Sequence, residues 1–87
     1  MSLHEGLDDL GTYYQICKVE GTTPILFIHG VGLDHSMWSP QTDFFKNQTT
    51  IIYDLIGHGY STCTQNEVNF EDFSYQIESL LQILRIQ

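Results

Sequence analysis

Basic residues are scarce in this 87-residue chain: Lys and Arg total 3 against 11 Asp and Glu, a formal charge of −8. That balance argues against nucleic acid or an anionic membrane as a partner, because both are gripped through basic patches. The acidity reads instead as a solubilising surface. Cysteine is almost as rare. Cys17 and Cys63 fit no metal-ligand spacing and are too few for a disulfide framework, so reduced thiols and a cytoplasmic setting are the expectation. No apolar run approaches the length of a membrane span, and no basic stretch followed by an apolar one opens the chain. Repeats and low-complexity tracts are missing too. No cofactor is implied.

The 41% hydrophobic and 13% aromatic residues are those of a folded protein. The length allows at most one small domain with a modest core. Pro24–Trp38, PILFIHGVGLDHSMW, organises the rest. Ile25-Leu26-Phe27-Ile28 is an unbroken apolar run of strand length, which suits a strand buried on both faces of a parallel sheet. It runs into His29-Gly30-Val31-Gly32, whose glycines permit a sharp turn and a close backbone approach. Helical signals resume over 36–45. A strand, a glycine loop and a helix together expose backbone N–H groups at the edge of the sheet where α/β proteins bind ligands.

Residues 1–11 form a poorly defined lead-in, either a frayed edge strand or disordered, before a core over 12–87. Thr12–Val19 is rich in strand formers, and Glu20–Pro24 is a turn, allowing a hairpin with 25–28. Ser39-Pro40 reads as an N-cap with Pro in the first turn, Trp38, Phe44 and Phe45 as an aromatic face, and Asn47 as a stop. A second strand-and-glycine-loop unit follows: Thr49–Asp54, then Leu55-Ile56-Gly57-His58-Gly59-Tyr60-Ser61. Asn69 caps a last helix with Glu71 and Asp72 in its first turn and Arg85 near its end. Its face is Phe70, Phe73, Ile77, Leu80, Leu81 and Leu84, at spacings of three and four.

The two glycine loops together resemble those of the α/β-hydrolase family. His29-Gly30-Val31-Gly32 precedes Met37-Trp38-x-Pro40-Gln41, and Asp54 to Ser61 is similar to the family's D-x-x-G-x-G-x-S loop. The combination looks most like the lactonase and esterase branch, especially 3-oxoadipate enol-lactonases. The resemblance implies an α/β fold, the N-terminal portion of the family's sheet, with about three strands and two helices in the order β-β-α-β-α. It covers nearly all of the chain but only the first part of that fold. The family's G-x-S-x-G elbow, acid and catalytic His come later, and none is present. Gly59-Tyr60-Ser61-Thr62-Cys63 lacks the second glycine, and Cys63 lacks a paired base. No nucleophile, acid or general base is therefore assigned, and the chain alone is expected to be inert.

The resemblance carries one electrophilic element over. The residue after His-Gly, here Val31, donates its backbone N–H to the oxyanion, a contribution of about 3 kcal/mol in hydrolases. Val31 has no polar side chain for a leaving halide, and Gly32 stands where epoxide hydrolases tend to carry Pro, which leaves ester or lactone chemistry on a small molecule. His29, Gly30, Gly32, Asp54, Gly57, His58 and Gly59 are expected to shape the loops rather than move protons. Met37 and Trp38 either line an acyl pocket or belong to the core. His29, His35, His58 and Asp54 have suitable ligand chemistry but no local metal spacing, so no metal is expected. The competing class is an interaction module. In the family the strand over 25–28 pairs with the nucleophile strand; without it, an open edge favours a homodimer or larger assembly.

Overall fold

The computed structural model describes residues 2–30, 32–61 and 68–84. Four strands make one mixed sheet: β1 (Ser2–Leu7), β2 (Tyr13–Lys18), β3 (Ile25–Phe27) and β4 (Thr50–Tyr53), in the order β1-β2-β4-β3. β1 pairs antiparallel with β2, β2 antiparallel with β4, and β3 parallel with β4. A 3-10 turn at His35–Trp38 leads into α1 (Ser39–Phe44), and α2 (Phe70–Ile83) closes the order. The α/β fold expected from the sequence is present, with one strand more than expected. That strand is β1, which lies in the poorly defined lead-in; its backbone pairing with β2, from Ser2↔Lys18 to Leu7↔Tyr13, orders a segment with little side-chain signal.

The buried centre is β4, not β3. All four β4 residues are buried, whereas Ile25–Phe27 are half-buried and Ile28 is 49% exposed. β3 is an edge strand, and β4 separates it from β2, so the hairpin that the Glu20–Pro24 turn would permit does not form. Side-chain alternation sorts the sheet into two faces. Ile16, Ile51 and Tyr53 form one core with Leu55 and with Leu80 of α2, joined by Tyr14, Leu26, Phe73, Ile77, Leu81 and Leu84. The helical stripe thus packs as its spacing implies, except that Phe70 at the first turn is 90% exposed. On the opposite face Phe27 meets Trp38 at 5.1 Å and Phe45 at 6.2 Å between ring centres, docking α1.

The caps are local chemistry. Asn69 accepts from the Asp72 amide at 3.0 Å while the Asp72 carboxylate accepts from the Asn69 amide at 2.9 Å, a reciprocal capping box. Asp34 caps the 3-10 turn through the Ser36 amide. Ser39 therefore does not cap α1: Trp38 holds that position without a side-chain bond, because the 3-10 turn runs straight into the helix. α1 ends at Phe44, short of Asn47. Arg85, Cys63 and Val31 lie outside the described residues. No helix among the described residues is long and apolar enough to cross a membrane.

Candidate functional site

Because β3 and β4 are parallel, both glycine loops leave the same edge of the sheet. Antiparallel β2 brings its first residues to that edge as well, and the Asp54 amide donates to the Tyr13 carbonyl at 3.0 Å. The cluster is built around Asp54, the residue following β4, which is fully buried. Burying a carboxylate is costly unless donors surround it, and three do. The His35 amide donates to Oδ1 at 2.6 Å, the His35 Nδ1–H to Oδ2 at 2.8 Å, and the Tyr60 amide to Oδ2 at 2.9 Å. The Asp54 carbonyl in turn accepts from the Ser61 hydroxyl at 2.7 Å and from Gln76 Nε2 at 2.9 Å. One residue thus ties the 3-10 turn, the second loop and α2 to the end of β4.

Glycine is required at three points of this wrapping. Gly59 has φ +50°, and a Cβ there would run into the Asp54 carboxyl group, so only hydrogen lets the loop close over the carboxylate. Gly32 has φ +89° with open space around it, a purely conformational demand. Gly57, at φ 72°, turns the second loop. Gly30 differs from expectation: its φ is not in the left-handed range, and a Cβ would meet Leu33 at an ordinary 3.7 Å. Its turn is made by the Leu33 amide donating to the Gly30 carbonyl at 3.1 Å.

The histidines hold the loops together. His29 is buried and its Nε2 accepts from the Leu55 amide at 3.0 Å, while Nδ1 donates to the Gly30 carbonyl at 2.7 Å. His58 Nε2 accepts from the Gly32 amide at 3.0 Å, and its Nδ1 donates to the Ile56 carbonyl at 2.9 Å. Their rings are 5.4 Å apart, and His29 Nε2 stands 4.0 Å from Asp54 Oδ1. Tyr13 and Tyr60 flank His35 at 4.8 and 5.4 Å between ring centres. Its hydrogen bond to Ser36 holds the Asp34 carboxyl below the usual carboxylate range, while burial pushes the Tyr13 phenol up. Ligand atoms of Asp34, His35 and Asp54 come within 4.8 Å of one another, but Asp54 already serves His35 and Tyr60, and Asp34 serves Ser36.

The structure therefore brings His29, Asp54 and His58 together with the loop glycines. It adds residues that the sequence reading left unassigned. His35 is the direct partner of Asp54, and Gln76 is a buried amide bonded to Thr12, Asp54 and Ile56. The only advance sign of Gln76 was a polar residue inside the Phe73–Leu80 stripe. Met37, 40% exposed, and Trp38, packed at a tilt against Phe27, sit on the α1 side of the sheet.

A family model described as the alpha/beta hydrolase fold matches residues 23–87. The chain is 32% identical over 74 residues to a 3-oxoadipate enol-lactonase 1 of Acinetobacter baylyi, covering 84% of this chain and 27% of that protein. It is 39% identical over 51 residues to an (E)-2-((N-methylformamido)methylene)succinate hydrolase of the same organism, covering 58% of this chain and 19% of that protein. Among solved structures, a hydrolase from Pseudomonas aeruginosa superposes with a TM-score of 0.81 at 18% identity, over 97% of this chain and 33% of that one. The match thus spans between about a fifth and about a quarter of the length of the curated relatives. With its two glycine loops tied together at the C-terminal edge of a β3–β4 parallel pair, and with the family model matching residues 23–87, this chain belongs to the α/β-hydrolase family.

Proposed function

We propose that the chain is a single partial domain supplying the oxyanion loop of a serine-type α/β-hydrolase that cleaves a small ester or enol-lactone through an acyl-enzyme. The carrying observation is the tie between the loop over 29–32 and the loop over 54–61 at one sheet edge. One similar curated protein is named an enol-lactonase, which supports the lactone class, and the other is named a hydrolase of a substituted succinate, which supports hydrolysis of a small molecule. Within this reading Val31 contributes its backbone N–H to the oxyanion. His29, Gly30, Gly32, Asp54, Gly57, His58 and Gly59 hold that loop in shape, and Met37 and Trp38 contribute apolar surface towards the acyl group. Both rings of His29 and His58 spend both nitrogens on backbone groups, which suits bracing and leaves nothing for proton transfer. The setting in this reading is cytoplasmic. These 87 residues alone have no turnover. The test is hydrolysis of a p-nitrophenyl ester by the chain alone and joined to a segment carrying a G-x-S-x-G elbow: activity only in the joined protein supports the reading, and equal activity in both refutes it.

A second reading is favoured by the exposed surface. Among the described residues β3 pairs on one side only, and Leu3, Ile28, Leu33 and Phe44 are exposed. Beside α1 a groove of about 370 Å³ opens over the sheet, lined by Leu3, Gln15, Cys17, Thr42, Lys46 and Ile52 among others. In this reading a second copy adds its own β3 to the open edge, giving a non-catalytic homodimer. Light scattering on the isolated chain tests it: a folded monomer of 10.0 kDa rules it out.

A further inference from the structure

We infer that His29 and His58 form a crossed clasp, both rings neutral with the proton on Nδ1, and that a proton added to either ring opens its half. This deepens the bracing role given above; it rests on the tie between the loops and not on ester hydrolysis. The bonds are reciprocal. His29, on the first loop, accepts the Leu55 amide of the second, and His58, on the second loop, accepts the Gly32 amide of the first. An amide nitrogen can only donate, so Nε2 of each ring must be unprotonated. A carbonyl can only accept, so Nδ1 of each ring must carry the hydrogen that reaches Gly30 or Ile56. The backbone thereby selects one tautomer at both positions.

Protonation turns each Nε2 into a donor aimed at another donor, and the cross-loop bond is lost. The two halves then differ. His29 has a substitute acceptor, because Asp54 Oδ1 is 4.0 Å from its Nε2, whereas the bonds of His58 run to backbone groups alone. Other ionisable groups near the pair are Asp34, whose carboxyl would feel a charge placed on His29, and His35, held by Asp54. Tyr13 and Tyr60 pack against His35 at tilted angles, and α2 faces the second loop with the neutral Gln76. Two charged rings 5.4 Å apart would also repel. The neutral pair therefore stabilises the joined loops, and a proton added to either Nε2 removes one of the two cross-loop bonds.

Long-range imidazole 15N–1H NMR on the 87-residue chain reads the tautomers without any substitution. Nδ1–H signals at both residues are expected at neutral pH, and an Nε2–H tautomer at either one overturns the inference. Amide hydrogen exchange supplies the second readout. Protection of the Leu55 and Gly32 amides, corrected for intrinsic exchange, should fall about tenfold on acidification, the size of one lost hydrogen bond. His58→Gln keeps an acceptor near the Nε2 position that acid does not remove, so the Gly32 amide should stay protected at the lower pH; His58→Asn lacks that reach and should lose protection throughout. Equal acid sensitivity of Gly32 in the wild type and His58→Gln overturns the clasp, whatever the ester assay shows.

Discussion

Gly59→Ala should be among the most damaging single-methyl changes in this chain, and its cost can be separated into two parts. The first is conformational: Gly59 has φ +50°, where an L-residue costs about 1–2 kcal/mol. The second is steric, for the new Cβ enters the space of the Asp54 carboxyl group, which is fully buried and cannot retreat into solvent. Moving that carboxylate disturbs its bonds from the His35 amide, His35 Nδ1 and the Tyr60 amide. Hydrogen bonds to a charged group contribute about 1.5–3 kcal/mol each, so weakening even one brings the total to roughly 3–5 kcal/mol. Gly21→Ala is the control, since Gly21 has φ +79° with nothing within 4 Å of the added methyl. It should cost only the conformational part, about 1 kcal/mol. Urea unfolding of both variants, followed by Trp38 fluorescence and circular dichroism, measures the difference. A Gly59→Ala midpoint no lower than that of Gly21→Ala would refute the claim that this glycine exists for the sake of Asp54.

Further outcomes follow from the same contacts. Gln76→Leu should cost about 2–4 kcal/mol in the same unfolding assay, because it strands the Ile56 amide and the Thr12 hydroxyl while Ser61 still serves the Asp54 carbonyl. Gly30→Ala should change stability by less than about 0.5 kcal/mol, since neither its φ nor its surroundings demand glycine. Asn69→Ala should remove half of a capping box and cost about 1 kcal/mol, read as a lower thermal midpoint. Burial pushes the Tyr53 hydroxyl up to about 12, so its neutral form favours the fold. That contribution is complete below the ordinary tyrosine value near pH ~10 and is lost as pH rises towards about 12. The Tyr53 step of the tyrosinate absorbance, identified by its loss in Tyr53→Phe, should therefore coincide with unfolding; ionisation of Tyr53 near pH ~10 without unfolding would contradict it.

Much of the fold was legible because it is written in local signals. The α2 stripe and its Asn69 cap needed only helical periodicity and a short polar side chain. The loops stood out because glycine at 32, 57 and 59 answers a backbone demand that few other residues meet. Other features were settled by contacts distant in sequence. β1 forms because six residues pair backbone to backbone with β2, and no hydrophobic alternation announces such a strand. Ile25–Phe27 look more buried by composition than Thr50–Tyr53, yet the order of the sheet puts the latter in the middle. His35 and Gln76 illustrate the limit for the site. Each reaches Asp54 from 19 or 22 residues away, and no spacing rule links a turn or a helix position to the end of a strand across such a gap.

The proposed division of labour places the nucleophile outside these 87 residues and the oxyanion loop within them. The most direct test is to treat the folded, isolated chain with a fluorophosphonate probe, which labels activated serines, while following p-nitrophenyl ester hydrolysis. No label on any serine, Ser61 included, and no turnover above buffer are expected, because the Ser61 hydroxyl donates to the Asp54 carbonyl and accepts from the Tyr13 amide. A stoichiometric label on a serine of this chain, lost together with turnover when that serine is replaced by alanine, would contradict the account.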